Sequence, residues 1–156
     1  MVMKNVKEKL AFKRRIYDKC LEMLEESAET TRKRIEEVQK DANESEQEHD
    51  VFDGTRNKLL RQRDIYAEQL QNVLDEIQVL KKVTFDEPVE QVEFGAFVMT
   101  NQQDMFIVIG LGKVELDGKT YYAISKDVPI FNAMEGMKKG DTFEFNNNKF
   151  EIKDIF

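Results

Sequence analysis

The stretch LEMLEESAETTRKRIEEVQKDA, residues 21 to 42, repeats its apolar and small side chains every seven residues. Two positions of the repeat carry these side chains, and the series at the first position starts before residue 21. The first position holds Leu10, Tyr17, Leu24, Thr31 and Val38, and the second holds Leu21, Ala28, Ile35 and Ala42. Apolar residues at two positions of every seven are typical of a coiled-coil helix. The stretch therefore predicts a long helix with one narrow apolar seam.

The same repeat resumes after an acidic segment. Its first position then holds Phe52, Leu59, Tyr66, Val73 and Leu80, and its second holds Leu70 and Ile77. Residues 4–83 contain no proline and a single glycine, which favours helix throughout. Two such helices joined by a short polar break predict an antiparallel coiled-coil hairpin. A helix of about 40 residues is roughly 60 Å long, so the acidic segment is expected far from the rest of the chain.

Polar residues interrupt the seam in its distal half. Arg56 and Arg63 stand where leucine would be expected, and Thr31 is also polar. One interpretation is local charge pairing of these arginines with Glu36 or Glu37. The other is that this half of the hairpin is adapted to a partner surface.

The chain changes character near Pro88. Six of its seven glycines follow this point, and most later apolar residues are β-branched or aromatic, which favours strands and turns. Strands are predicted over 92–100, 105–111, 119–125, 142–146 and 149–156. A short helix is predicted over 129–137, and Asp117-Gly118 indicates a hairpin turn. The prediction is an α+β chain, with a coiled-coil hairpin over 1–86 and a small, mostly antiparallel β domain over 87–156.

Composition excludes several classes of protein. The net charge of −7 argues against nucleic-acid binding by charge alone. The single cysteine, Cys20, allows no internal disulfide and suits the cytoplasm. No secretory signal or run of 18 apolar residues is present, so no membrane association is expected. One histidine and one cysteine cannot build a Cys/His zinc site, and Ile109 to Gly112 predicts a tight turn rather than a nucleotide site, so no small-molecule substrate is expected.

The acidic segment, residues 41–53, is dense in carboxylates. It holds Asp41, Glu44, Glu46, Glu48, Asp50 and Asp53, and no Lys or Arg lies between Lys40 and Arg56. Mg²⁺ commonly takes one or two protein carboxylates and fills its shell with water and phosphate oxygens. The segment could therefore complete a metal site that belongs to another protein. The alternative is a solvated turn whose polar side chains cap the second helix.

The second domain carries a recognisable series of residues. VEFGAFV over 92–98 opens it, YAISKDVPI follows over 122–130, and then come Ala133, Gly136, Lys138, Gly140 and Asp141. This series resembles the carboxyl-terminal domain of the bacterial Gre transcript-cleavage factors, GreA and GreB. The order of a hairpin followed by a small FKBP-like domain matches that family as well. The resemblance implies docking on bacterial RNA polymerase through the second domain, and its implied docking residues are Ile124, Ser125, Pro129 and Ile130.

The resemblance also implies a mechanism. In Gre factors the hairpin enters the secondary channel, and acidic tip residues help hold a second Mg²⁺ at the polymerase active site. The polymerase then hydrolyses backtracked RNA, so the factor is not itself an enzyme and binds no cofactor stably. The family's Asp and Glu, three residues apart, match Asp41 and Glu44, which become the implied catalytic and metal-binding pair. Glu46, Glu48 and Asp50 are further candidates.

The tip departs from the family motif in its supporting residues. The motif positions of its glycine, leucine, asparagine and tyrosine hold Lys40, Ala42, Ser45 and Glu48 here. One alternative function is therefore a non-cleaving regulator or inhibitor that occupies the same channel. An alternative of a different class is a coiled-coil interaction module.

The first helix begins with a basic run. Lys13, Arg14 and Arg15 are its centre, and the resemblance implies contact with transcript RNA as a second partner. An ordinary charged helix surface is the alternative interpretation.

Overall fold

The computed structural model describes residues 5–47 and 53–156, with side chains from 5 to 44 and from 54 to 156. Its helices are α1 (Val6–Gln47), α2 (Asp53–Leu80) and α3 (Pro129–Met134). Its strands are β1 (Phe97–Thr100), β2 (Met105–Ile107), β3 (Gly112–Leu116), β4 (Lys119–Ile124), β5 (Thr142–Phe145) and β6 (Asn148–Ile155). The chain divides into two compact units. The hairpin unit is Glu22–Gln78, and the sheet unit combines residues up to Leu21 with Val79–Phe156.

The hairpin unit follows the seven-residue repeat. On α1 the repeat residues Leu24, Ala28, Thr31, Val38 and Ala42 are buried. On α2 Ile77 is buried, and Leu59, Tyr66, Leu70 and Val73 are half-buried. This narrow stripe matches the predicted coiled-coil hairpin. The helix nevertheless continues to Gln47. Asp41 and Glu44 therefore lie within regular helix, whereas the predicted polar break began at Asp41.

The sheet unit contains six strands in the order β3-β4-β2-β1-β6-β5. All neighbours are antiparallel except β2 and β4, which are parallel, so the predicted mostly antiparallel domain is confirmed. The strand β3 was not predicted. Only Val114 in it is buried, and Gly110 before the strand and Gly112 at its start obscure its short alternation. The short helix α3 ends at Met134, because Gly136 turns the chain with a φ of 75°.

Two tight turns close the outer hairpins of the sheet. Asp117 and Gly118, with φ of 53° and 77°, join β3 to β4 as predicted. Asn146 and Asn147, with φ of 49° and 64°, join β5 to β6. Positive φ at both central residues is the feature of the type I′ turn, whose twist suits a β-hairpin.

Gly118 provides a test of that turn. We expect Gly118→Ala to lower the free energy of unfolding by about 1 to 2 kcal/mol, because a Cβ is strained in the left-handed region. Chemical denaturation followed by circular dichroism measures the change. Gly110→Ala is the matched control, because Gly110 lies outside the left-handed region and its Cβ would meet nothing within 4 Å. Equal losses in both variants would contradict the prediction.

Both faces of the sheet are covered. The core on one face includes Val98, Met105, Ile107, Phe131, Met134, Phe143, Phe150 and Ile152. On the other face the start of α1 packs through Phe12, whose ring lies 5.1 Å from Phe97, 5.4 Å from Tyr121 and 6.3 Å from Phe156, between centroids. Ile16 is fully buried one turn later. The first four turns of α1 therefore form a layer of the sheet unit.

Candidate functional site

Asp41 and Glu44 form an exposed carboxylate pair on α1. Residues three apart on a helix are neighbours, with about 5 to 6 Å between their Cβ atoms. Ala42, which is 1% exposed, and Val38 hold this part of α1 in the seam. At about 3.6 residues per turn, both carboxylates point away from Ala42. The seam therefore presents the pair to solvent.

The pair lies near the far end of the hairpin unit. The chain enters this unit at Glu22 and leaves it at Gln78. Asp41 follows Glu22 by 19 residues, which corresponds to roughly 28 Å of helix at about 1.5 Å per residue. The two carboxylates are thus carried well away from the points where the hairpin unit begins and ends.

Two contacts between the helices establish their register. The guanidinium carbon of Arg34 lies 5.9 Å from the centre of the Tyr66 ring, and Arg63 Nη1 donates to Gln39 Oε1 at 2.9 Å. A residue of α1 and a residue of α2 therefore lie at the same level along the hairpin when their numbers add to about 101. Asp41 is then level with Leu60, and Glu44 with Asn57.

Two polar residues of the seam, Arg63 and Thr31, have hydrogen-bond partners. Besides Gln39, Arg63 bonds Asp64 through Nε at 3.3 Å and Nη2 at 3.0 Å, so its predicted pairing with Glu36 or Glu37 is wrong. The buried Thr31 hydroxyl donates to the carbonyl of Ser27 at 2.8 Å, which satisfies it within its own helix. Sequence reasoning missed the contact between Gln39 and Arg63, because only the register brings them together.

Other tip candidates cannot be placed in the same way. Glu46 lies on α1, but its side chain is not among those described, and Glu48 and Asp50 lie outside the described residues. Among the described residues, no three His, Cys, Asp or Glu side chains are grouped so as to hold a metal ion. Asp41 and Glu44 therefore offer two carboxylates to a metal ion, which matches the small protein share that Mg²⁺ often accepts.

The predicted docking residues lie together in the sheet unit. Ile124 ends β4, and Ser125 follows, with its hydroxyl oxygen accepting the Asp127 backbone N–H at 3.2 Å. Pro129 is exposed at the first turn of α3. A proline fits there, because the backbone N–H groups of the first turn have no hydrogen-bond partner within the helix. Ile124 and Ile130 are half-buried and pack against the core. The connection from β4 to α3 thus presents proline and parts of two isoleucines at the surface.

The predicted basic residues divide into two kinds. Lys13 is 1% exposed, so its side chain is part of the sheet unit's interior. Arg14 and Arg15 are exposed and contact other residues at the surface of that unit. Arg15 Nη2 lies 2.5 Å from a carboxylate oxygen of Asp117, and the Arg14 guanidinium lies 4.7 Å from the centre of the Phe85 ring. The exposed members of the basic run are therefore Arg14 and Arg15.

Burial lowers the pKa of the Lys13 ammonium from 10.5 to about 8, and the charge of Glu93 opposes part of that shift. Between these two values the unfolded chain binds more protons than the folded chain, so stability rises with pH there. We expect Lys13→Met to be more stable than the parent at pH 7, because the buried charge is removed. From pH 7 to pH 9 the parent should gain about 1 kcal/mol relative to the variant.

Urea titrations of both proteins across this range measure the difference. Burial raises the pKa of the Cys20 thiol to about 12, which affects stability in the opposite direction at higher pH. Comparison with Lys13→Met cancels that contribution, since both proteins retain the thiol. If the free energy of unfolding changed with pH in the same way in both proteins, the lowered pKa of Lys13 would be contradicted.

The comparisons with known proteins give little beyond this geometry. No protein-family model matches the sequence, and no curated protein matches it. One similar solved structure is GreA factor homolog 1 (Gfh1) of Thermus thermophilus. The match covers 87% of this chain and 94% of that chain, with 18% sequence identity and a TM-score of 0.34. A similarity at this level assigns no function. Within the described residues, no helix is long and apolar enough to cross a membrane.

Proposed function

We propose that this protein is a Gre-like factor that binds bacterial RNA polymerase through its secondary channel and stimulates cleavage of backtracked transcript. The observation that carries the proposal is the exposed pair Asp41 and Glu44 near the far end of the hairpin unit. A helical hairpin is narrow enough to enter a channel, and carboxylates near its end could reach a reacting phosphate. The motif from Ile124 to Ile130 supports docking by the sheet unit.

The proposed chemistry belongs to the polymerase. Two Mg²⁺ ions stabilise the attacking and leaving oxygens of a phosphodiester hydrolysis, and the factor contributes ligands to one of them. Asp41 and Glu44 would supply carboxylate ligands to that ion, and water and phosphate oxygens would fill its remaining positions. The protein alone is then no enzyme and retains no metal after it leaves the polymerase.

The transcript is a second proposed contact. Arg14 and Arg15 are the exposed members of the basic run. Arg15 is paired with Asp117, and Arg14 lies 3.8 Å from Asp18. Both guanidinium groups are exposed, so exchange of these ion pairs for RNA phosphate costs little.

A non-cleaving regulator of the same channel is the second candidate. The continuous helix through Gln47 favours it, because Asp41 and Glu44 then rest on regular helix without the family's glycine and leucine. Residues that orient metal ligands affect metal binding strongly, so their replacement favours binding without chemistry.

Artificially backtracked elongation complexes test both candidates. The factor and Mg²⁺ are added, and shortening of labelled RNA is measured beside the affinity for polymerase. Shortened RNA, lost on removal of either carboxylate, supports the cleavage factor. Binding without shortening supports the regulator, and absence of binding overturns both.

A further inference from the structure

We propose that Arg63 is a positioning residue that fixes the register of the hairpin and thereby the placement of Asp41 and Glu44. Its link to transcript cleavage rests on the proposed function, whereas its effect on register does not. Arg63 occupies a seam position where the repeat would place leucine. A polar residue at such a position commonly specifies register in coiled coils.

The contact begins at the guanidinium of Arg63, which crosses from α2 to α1. Nη1 donates to Gln39 Oε1 at 2.9 Å in a partly buried bond. The Gln39 amide nitrogen in turn donates to Asn43 Oδ1 at 3.0 Å. Asn43 lies between Asp41 and Glu44 in the chain. Two consecutive hydrogen bonds therefore connect α2 to the helical turn that carries the carboxylate pair.

Asp64 holds the other side of the same guanidinium. Its Oδ1 accepts from Nε at 3.3 Å and from Nη2 at 3.0 Å. The guanidinium is planar, so these two bonds set the direction of Nη1. Asp64 thus orients Arg63 toward Gln39, and the contact is directional rather than a loose ion pair.

The apolar seam alone does not choose the register. In the observed register, Ala42 is level with Leu59, Val38 with Arg63 and Ile35 with Tyr66. Each of these pairs joins the first repeat position of one helix to the second position of the other. If α2 slipped by seven residues along α1, the same two positions would face each other again, because the repeat is seven residues long. The choice among such registers must therefore come from polar residues or from the connection between the helices.

Arg63 disfavours one of these slips by charge. If α2 moved so that Arg63 lay level with Thr31, the place of Gln39 would be taken by Arg32. Two guanidinium groups would then meet in a partly buried seam. A slip of seven residues in the other direction would require Asp53 to face residue 55. Because both residues belong to α2, the start of α2 would have to unwind. The observed register places the neutral acceptor Gln39 beside Arg63 with α2 intact.

The first experiment measures register without polymerase. In a Cys20→Ala background, nitroxide labels are attached to cysteines at the exposed positions Lys33 and Lys58, and electron paramagnetic resonance records their distance distribution. We expect one narrow distribution for this parent. Adding Arg63→Leu should broaden it or add a second population, because a slip of seven residues moves one helix along the other by about 10 Å. An unchanged distribution would overturn the proposal.

Two variants of Gln39 test whether the effect comes from its hydrogen bond with Arg63 or from the replacement of Arg63 itself. Gln39→Glu keeps an acceptor for Arg63 and should retain the narrow distribution. Gln39→Leu removes the acceptor and should behave like Arg63→Leu. Arg61→Leu removes the same charge from an exposed position on α2 and is the matched control. A broad distribution in this control would show that the effect is not specific to Arg63, which also overturns the proposal.

The second experiment measures RNA cleavage in backtracked complexes. We expect Arg63→Leu to reduce the rate at least 5-fold while its affinity for polymerase changes less than 2-fold, and Gln39→Glu to retain the rate. A seam leucine should also raise the thermal midpoint, so stability and activity move in opposite directions. A merely structural role would move them together, and that result would refute positioning. If the parent gives the narrow distribution but no cleavage, the cleavage function fails and the register role stands.

Discussion

We expect Asp41→Asn and Glu44→Gln each to lower stimulated RNA cleavage at least 10-fold, and the double variant to lower it to the rate of polymerase alone. An amide retains the size and helical preference of each residue but binds Mg²⁺ more weakly than a carboxylate. Both side chains are exposed, so their replacement leaves the seam at Ala42 and Val38 intact. Binding to polymerase should stay within 2-fold of the parent.

The measurement is the rate at which labelled RNA shortens in backtracked complexes, at several Mg²⁺ concentrations. Because the variants lose affinity for the metal rather than for polymerase, raised Mg²⁺ should recover part of the rate. Glu37→Gln, which removes an exposed carboxylate one turn earlier on α1, is the matched control and should cleave normally. Normal cleavage by the double variant would rule out this pair as the metal ligands.

The second large effect is expected at Phe12. Phe12→Ala should lower the free energy of unfolding of the sheet unit by about 3 to 5 kcal/mol, because it leaves a cavity and removes three edge-to-face ring contacts. Those contacts join α1 to Phe97, Tyr121 and Phe156. Guanidinium titration followed by near-ultraviolet circular dichroism measures the loss, since the chain has four tyrosines and no tryptophan.

Val6 provides the control for this prediction. It is 51% exposed on the same end of α1, so Val6→Ala should change stability by less than about 0.5 kcal/mol. A loss below about 1 kcal/mol in Phe12→Ala would mean that the start of α1 is no structural layer of the sheet unit. Similar losses in both variants would indicate a general effect of the helix terminus.

Local patterns were sufficient for several features. The seven-residue repeat predicted the hairpin, because each seam position depends only on spacing within one helix. Asp117 and Gly118 predicted their turn, because few residue pairs accept positive φ at both places. The carboxylates at 41 and 44 were selected through the resemblance to Gre factors, and the helix places them on neighbouring turns.

Other features required contacts between residues distant in sequence. The parallel pairing of β2 with β4 joins strands separated by β3, whose own alternation is short. Lys13 belonged to a basic run in the sequence, yet it is buried on the same part of α1 as Phe12 and Ile16. Nothing in the local spacing distinguishes Lys13 from Arg14, because the rest of the unit in which Lys13 is buried, Val79–Phe156, begins more than 60 positions later.

The sequence alone thus determined the hairpin, its seam and the turn at Asp117 and Gly118, since periodicity and turn chemistry act between near neighbours. Only the tertiary structure decided the strand order, the burial of Lys13 and the bond from Arg63 to Gln39. Those depend on which distant surfaces meet, and on a register that a seven-residue repeat leaves free to slip. The polar contact beside the seam, rather than the seam itself, distinguishes one register from the next.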